Sequence, residues 1–404
     1  MTPHADPASV AGLSMLPPEL WRRILRFATY VPRLQPPSSS SETTDIEFLP
    51  PHNEPLHLRR TKRNLVLVCS LFRTLATPFL YEYLVPENSK QTAALLKLFT
   101  DRPDLGDHVR RIAFAVVGYA HDVRMHLDLV REVLQRTPSA AAVHVLYLSG
   151  NGARSGLPEV LTAVESRETS WKWRSLEWTD ASANEPCVME RLLGQCPLLE
   201  QLTLTGDVVA PLPAPALTHR RSSSAPLPYR GTSLTLQSLR RLVLRNTHPA
   251  TLALVASWKL PALTHLTLVL NKSVSFGAAY ALIARYSQSL NFLRIEAPHL
   301  PREQITSLIA LCAENAQSIV VPLGTLLPRM EQLQTLGWVG GTITQETEDI
   351  EMLDQRRMPA LDTIVAVESA RFALSRRVIT QFNARFGKEL LWQDYNGDPV
   401  VGRA

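Results

Sequence analysis

The residue types that most often carry chemistry are present in this chain but scattered. Four cysteines, Cys69, Cys187, Cys196 and Cys312, occur in 404 residues with no CxxC pair and no framework spacing. That pattern reads as reduced thiols of a cytoplasmic or nuclear protein, not as a disulfide scaffold or a zinc site. His121 and His126 are five apart, one too many for two ligands on one helical face. The run Gly150-Asn-Gly152-Ala-Arg-Ser155-Gly156 follows a predicted strand and approaches a dinucleotide fingerprint. Its third glycine comes one position late and no acidic residue is placed for a ribose, so it reads as a loop. GxxxxGK[ST], GxSxG and HExxH are absent. No catalytic group, cofactor or metal is expected.

Charge and hydropathy narrow the partners. The formal net charge is only +5, although 35 of the 42 basic residues are arginine. A balance that mild does not predict a nucleic-acid partner. Two basic clusters stand out. Arg59, Arg60, Lys62 and Arg63 suit a solvated helix start, or an import signal or phosphate contact. Arg220-Arg221-Ser222-Ser223 suits a solvated loop, or a basophilic kinase site. No stretch reaches 18 consecutive apolar residues. The closest, 246–271, carries Asn246, His248, Pro249, Lys259, Pro261 and His265, so no membrane span is expected. The N-terminus lacks a basic n-region and an apolar core, so no secretory leader is expected. The Asn271-Lys-Ser273 sequon then has no role.

One pattern recurs along the chain: apolar, two residues, apolar, one residue, apolar. The clearest copies are Leu199-xx-Leu202-x-Leu204, Leu239-xx-Leu242-x-Leu244, Leu263-xx-Leu266-x-Leu268 and Leu290-xx-Leu293-x-Ile295. Degenerate copies centre on Ile112, Leu146, Leu176, Ile319, Leu336 and Ile364. Most spacings between centres fall within leucine-rich-repeat lengths of about 20–29 residues. Apolar residues two apart share one face of a strand. Between them, Val123, Leu127, Val130, Val133 and Leu134 share a helical stripe, as do Ile305, Leu308, Ile309 and Cys312. The expected fold is α/β: a solenoid of about ten irregular repeats over 85–368, with parallel strands on the concave face and helices on the convex face. The asparagine that usually follows such strands is represented only near Asn246 and Asn271. The longest spacing has a visible cause, since 209–233 holds five prolines and a serine run and reads as a disordered insertion. Residues 369–404 break the repeat and read as a C-terminal cap.

The N-terminal part differs. After a flexible tail over 1–12, Pro17 and Pro18 open a helix in which Leu20, Ile24 and Phe27 form a stripe, with Leu16 just before it. A second apolar segment covers 65–84. A proline- and serine-rich stretch, 31–62, reads as a disordered loop between them. Two such short elements cannot bury all their apolar surface, and the exposed remainder points to a partner.

The residues Leu16-Pro17, Glu19-Leu20, Ile24-Leu25, then Val68-Cys69, Phe72-Arg73, Leu75-Ala76, Pro78 and Leu80-Tyr81 resemble an F-box. Phe72 stands where that family usually has tryptophan. The resemblance implies a short N-terminal helical bundle over 13–84 that docks on a Skp-family adaptor and through it a cullin. It implies Leu16, Pro17, Leu20, Ile24, Leu25, Val68, Cys69, Phe72 and Leu75 as adaptor contacts. Leucine-rich repeats commonly follow an F-box, so the chain resembles a substrate receptor of a ubiquitin ligase. Such a receptor is not itself an enzyme: it binds a protein substrate and acts by proximity. No cysteine and histidine cluster resembles a RING site. The alternative is a repeat scaffold with no ligase role. In either case the strand residues facing the concave side would hold the partner: Tyr147, Glu177, Thr203, Arg245, Thr267, Arg294 and Glu296. That face is small and hydroxyl-rich, which suits a protein surface better than a phosphate backbone.

Overall fold

The computed structural model describes residues 16–29, 56–117, 120–148, 171–179, 186–206, 234–272, 274, 276–322, 325–339, 356–366, 380, 383, 384, 386 and 391–394. The expectations for 1–12, 31–55, Gly150–Gly156, 209–233 and most of 369–404 lie outside the described residues, as do the side chains of Arg59, His121, Tyr147 and Cys187. The chain divides into two compact units, one of residues 1–115 with 128–143 and one of 116–127 with 144–404.

The first unit begins with α1 (Pro18–Ala28), α2 (Leu56–Val68) and α3 (Ser70–Tyr81). Helix α1 starts directly behind Pro17 with Glu19 in its first turn and Arg26 in its last, both favourable to the helix dipole. Thr29 closes it by donating its hydroxyl to the Leu25 carbonyl at 2.8 Å. The second apolar segment is two helices, because Cys69 is extended and breaks it. The Cys69 Sγ accepts the Phe72 amide at 3.4 Å, capping α3. Residues 56–62, expected within the loop, are helical. Helix α2 contains neither proline nor glycine and is rich in leucine and arginine, which favour helix. Leu25, Phe72, Leu75 and Ala76 form a small core, with Trp21, Leu65, Val66, Leu71 and Phe79 packed around it. The Trp21 and Phe72 rings meet edge-on at 5.0 Å. Next come β1 (Tyr83–Leu84), α4 (Ser89–Asp101), α5 (Pro103–Gly106) and β2 (Arg111–Val117), with β1 parallel to β2.

The helix α6 (Ala120–Gln135) buries Leu127, Val130, Val133 and Leu134, as its periodicity requires. His126 on the same helix is also buried, and burial lowers its pKa below the ordinary value. The unfolded chain therefore binds this proton more readily than the folded one. Stability attributable to His126 is intact above about pH 6.5 and declines as pH falls below that towards the depressed native value. Thermal melts between pH 7.5 and 5.5 should show a falling Tm, and His126→Phe should flatten that fall.

After β3 (Ala142–Leu148) the second unit runs through β4 (Ser175–Thr179), α7 (Pro186–Gly194), β5 (Gln201–Thr205), β6 (Arg241–Arg245), α8 (Pro249–Ser257) and β7 (His265–Val269). It continues through α9 (Phe276–Tyr286), β8 (Phe292–Glu296), α10 (Arg302–Ala310), β9 (Ser318–Pro322), β10 (Thr335–Val339), β11 (Thr363–Ala366) and β12 (Leu391–Asp394). Strands β4 to β12 pair in chain order, each parallel to the next. This is a mixed α/β array compatible with a curved repeat solenoid. Leu176, Leu202, Leu242, Leu266, Leu293, Ile319, Leu336 and Ile364 stand in one row across the sheet, and Trp392 extends it.

Among the described residues one backbone device recurs from repeat to repeat. A single carbonyl just before a strand accepts the two amides that open the next one. Glu200 O takes Arg240 and Arg241, Arg240 O takes Thr264 and His265, and Thr264 O takes Asn291 and Phe292, all within 2.8–3.0 Å. Asn291 O, Gln317 O and Gln334 O repeat it. The device corrects one repeat. Arg110 O accepts Ala141 and Ala142, which sets Ala142 opposite Arg111. Val143, not Leu146, therefore takes the position of Ile112.

The uneven spacings are absorbed locally. Strands β5 and β6 pair directly although 207–233 separate them. Gly206, at the end of β5, lies under the Asn246 carbonyl, which would be 2.2 Å from an added Cβ. Asn246 holds a left-handed conformation (φ 50°), and the Asn271 side chain donates to its carbonyl at 3.3 Å. Between β9 and β10 the short connection buries Leu327 and Met330 instead of a helical stripe. A polar staple lies among the described residues of the helical layer. The Trp258 indole donates to Glu190 Oε1 at 3.2 Å, and the Tyr286 hydroxyl lies 2.8 Å from the Trp258 carbonyl and 3.2 Å from that of Val255.

Candidate functional site

Two surfaces stand out, one on each unit. On the first unit, α1 is apolar on two sides, and the core takes only one of them. Leu25 is 2% exposed, whereas Leu20, Ile24 and Phe27 are 45%, 46% and 70% exposed. Leu16 before the helix, and Leu67 and Val68 at the end of α2, are exposed as well. Arg22, Arg23 and Arg26 on α1 and Arg60 and Arg63 on α2 are also exposed. This is an apolar stripe on short helices with a basic surround. Clustered exposed aliphatic and aromatic side chains of this kind mark a docking face.

The residues expected to contact an adaptor therefore divide. Leu16, Pro17, Leu20, Ile24 and Val68 are on the surface. Leu25, Phe72 and Leu75 are inside the small core and hold the helices together, and Cys69 is the half-buried cap. Lys62, expected to be solvated, is buried. A long aliphatic stem can cover apolar surface while its ammonium finds a polar partner.

On the second unit, the residues facing one side of β4 to β8 form three rows. Glu177, Thr203, Val243, Thr267 and Arg294 stand in register in the middle row. Thr205, Arg245, Val269 and Glu296 stand in the row towards the strand C-termini. Expected contacts Glu177, Thr203, Arg245, Thr267, Arg294 and Glu296 are thus brought onto one face. They are not equally accessible. Thr203, Thr267 and Arg294 are buried, while Glu177, Arg245 and Glu296 are half-buried. Arg294 is further occupied by an ion pair with Glu296 on its own strand. Buried, paired charges of this sort fix geometry more than they attract ligands.

A third row was not anticipated from the sequence. Gln201, Arg241, His265, Phe292 and Ser318 open their strands on the same face and are all half-buried. His265 and Phe292 stack at 5.5 Å, and the Thr264 hydroxyl is 2.8 Å from His265 Nδ1. The signal was available, since each of these residues directly precedes the middle apolar residue of its repeat and shares its neighbour's face two positions on.

The displaced repeat changes one more position. His144, next after Val143, faces Glu177, with Nδ1 and Oε2 2.9 Å apart. Tyr147 is on β3 three residues further along, with its side chain outside the described residues.

Among the described residues no group of three or more histidine, cysteine, aspartate or glutamate side chains is arranged to hold a metal ion. No described helix is long and apolar enough to cross a membrane. Cys196 and Cys312 are fully buried, and burial pushes each thiol up to about 12. Iodoacetamide at pH 8 on the native chain, read by peptide mass spectrometry, should leave both unmodified until denaturant is added.

No protein-family model matches the sequence, and no curated protein matches it.

Proposed function

We propose that the chain is a non-catalytic substrate receptor of a Skp–cullin–F-box type ubiquitin ligase. In this reading the exposed side of α1, with the end of α2, docks on a Skp-type adaptor, and the strand face of the second unit receives a protein substrate. The observation that carries it is the division of α1 into two apolar sides. Trp21 and Leu25 serve the core, and Leu20, Ile24 and Phe27 remain for a partner. A helix serving only its own fold has no use for the second side. The parallel repeat array supports the other half of the reading, because such arrays present one long row-ordered face. Ubiquitin transfer would then proceed by proximity, with other subunits supplying the reactive chemistry. The setting would be the cytoplasm, the nucleus or both.

Co-expression with a Skp-type adaptor tests it, beside a Leu16→Ala/Pro17→Ala variant. Co-purification of the intact chain and its loss in the variant support the receptor. No co-purification of the intact chain overturns it and leaves a repeat scaffold.

A further inference from the structure

We propose that the strand face around β6 takes an extended protein segment bearing two carboxylate side chains, one paired with Arg241 and one with Arg245. The proposal deepens the reading above: it rests on the strand face being the partner surface and names the chemistry of what lies there.

Three observations carry it. The first is charge. Among the described residues of β5, β6 and β7, this face carries Arg241 and Arg245 and no carboxylate. The carboxylates of the strands beyond are already engaged: Glu177 on β4 faces His144, and Glu296 on β8 is paired with Arg294 of its own strand. The charge that this part of the face presents to a partner is therefore guanidinium. The second is access. Thr203, Val243 and Thr267 close the floor of the middle row and are buried, whereas Arg241 and Arg245 are half-buried on either side of it. A segment laid on the floor meets both arginines at its edges. The third is spacing. Arg241 and Arg245 are four residues apart on one strand, and at about 3.3 Å per residue their Cα atoms stand roughly 13 Å apart. Side chains leave a sheet nearly perpendicular to it, so each guanidinium suits its own carboxylate, which it can grip with two parallel hydrogen bonds. One dianionic phosphate calls for cations that converge. An extended segment running along β6 has the same rise as the strand, so its two acidic residues fall four positions apart.

The test is selection of random 12-residue displayed peptides on the full chain. Recovered peptides are then measured on purified wild type and on Arg241→Gln and Arg245→Gln, singly and together. Melting curves establish that each variant is folded. Changing the peptide's own acidic residues to their amides gives the same readout without touching the fold. The expected result is peptides with two aspartates or glutamates four positions apart. Their affinity should fall at least tenfold in the double variant and on amide replacement, and should weaken in high salt. Amide replacement should cost nothing further in the double variant. Phosphoserine in place of either acidic residue should bring no gain. Peptides without an acidic pair, equal binding to wild type and double variant, tighter binding by the phosphoserine peptides, or no peptide recovered at all would overturn the proposal. Adaptor co-purification of the intact chain is scored separately. Its failure would strike the ligase reading and leave the peptide result standing.

Discussion

Replacing Leu20 and Ile24 together by aspartate is expected to abolish adaptor binding while leaving the chain folded. Both side chains are nearly half exposed and make no part of the small core. Their exchange therefore removes little native packing, and surface changes of this kind usually stay within about 0.5 kcal/mol. At a docking face the same two side chains would be buried. Burying the remaining half of each would contribute about 1 kcal/mol, so their loss corresponds to roughly one to two orders of magnitude in affinity. Placing two carboxylates there adds a desolvation cost. The contrasting variant is Leu25→Ala, one helical face away. Leu25 is buried against Phe72 and Leu75, so its truncation should cost about 2–5 kcal/mol of stability. Circular dichroism melts and pull-down with the adaptor separate the two cases. The account requires Leu20→Asp/Ile24→Asp to keep its melt and lose its partner.

Trp258→Ala is expected to be the most damaging single change in the repeat unit. The indole is fully buried, and truncating a buried aromatic to alanine costs about 3–5 kcal/mol. It also withdraws the N–H that Glu190 accepts, on a carboxylate that is itself buried. Trp258→Phe separates the two contributions. It keeps most of the apolar volume and removes the donor, and should cost about 1–3 kcal/mol. Tyr286→Phe, which strips a hydroxyl from the Trp258 and Val255 carbonyls, should cost about 1 kcal/mol. Urea titrations give the order Trp258→Ala, Trp258→Phe, Tyr286→Phe, largest first, with unchanged m. A Trp258→Phe midpoint equal to that of the wild type would show that the Glu190 contact stabilises nothing. The staple matters because Glu190 precedes 207–233 and Trp258 follows it, so it joins repeat backs across the longest interruption of the array.

The repeat centres were legible because a leucine at every position of a sparse pattern leaves one register open, as in Leu239, Leu242 and Leu244. At β3 the run Ala141-Ala-Val143-His-Val145-Leu-Tyr-Leu148 has apolar residues at nearly every step. Two registers fit it, and only the backbone pairing at Arg110 decides between them. The same ambiguity governs α1. Leu20, Ile24 and Phe27 form one stripe, and Trp21 and Leu25 form another. Sequence periodicity shows both, and only the position of Phe72 shows which one the fold consumes. The break at Cys69 was hidden because helix formers surround it on both sides. The Glu190–Trp258–Tyr286 staple was out of reach because its members are 68 and 28 residues apart in the chain. His144 was missed with the register, and with it the best-defined polar pair on the strand face.

Hydrogen exchange of the full chain with and without a Skp-type adaptor tests the central claim most directly. The account predicts new protection confined to the peptides covering α1 and the end of α2, with the strands β4 to β12 unchanged. Absence of protection there, or protection confined to the strands, would contradict it.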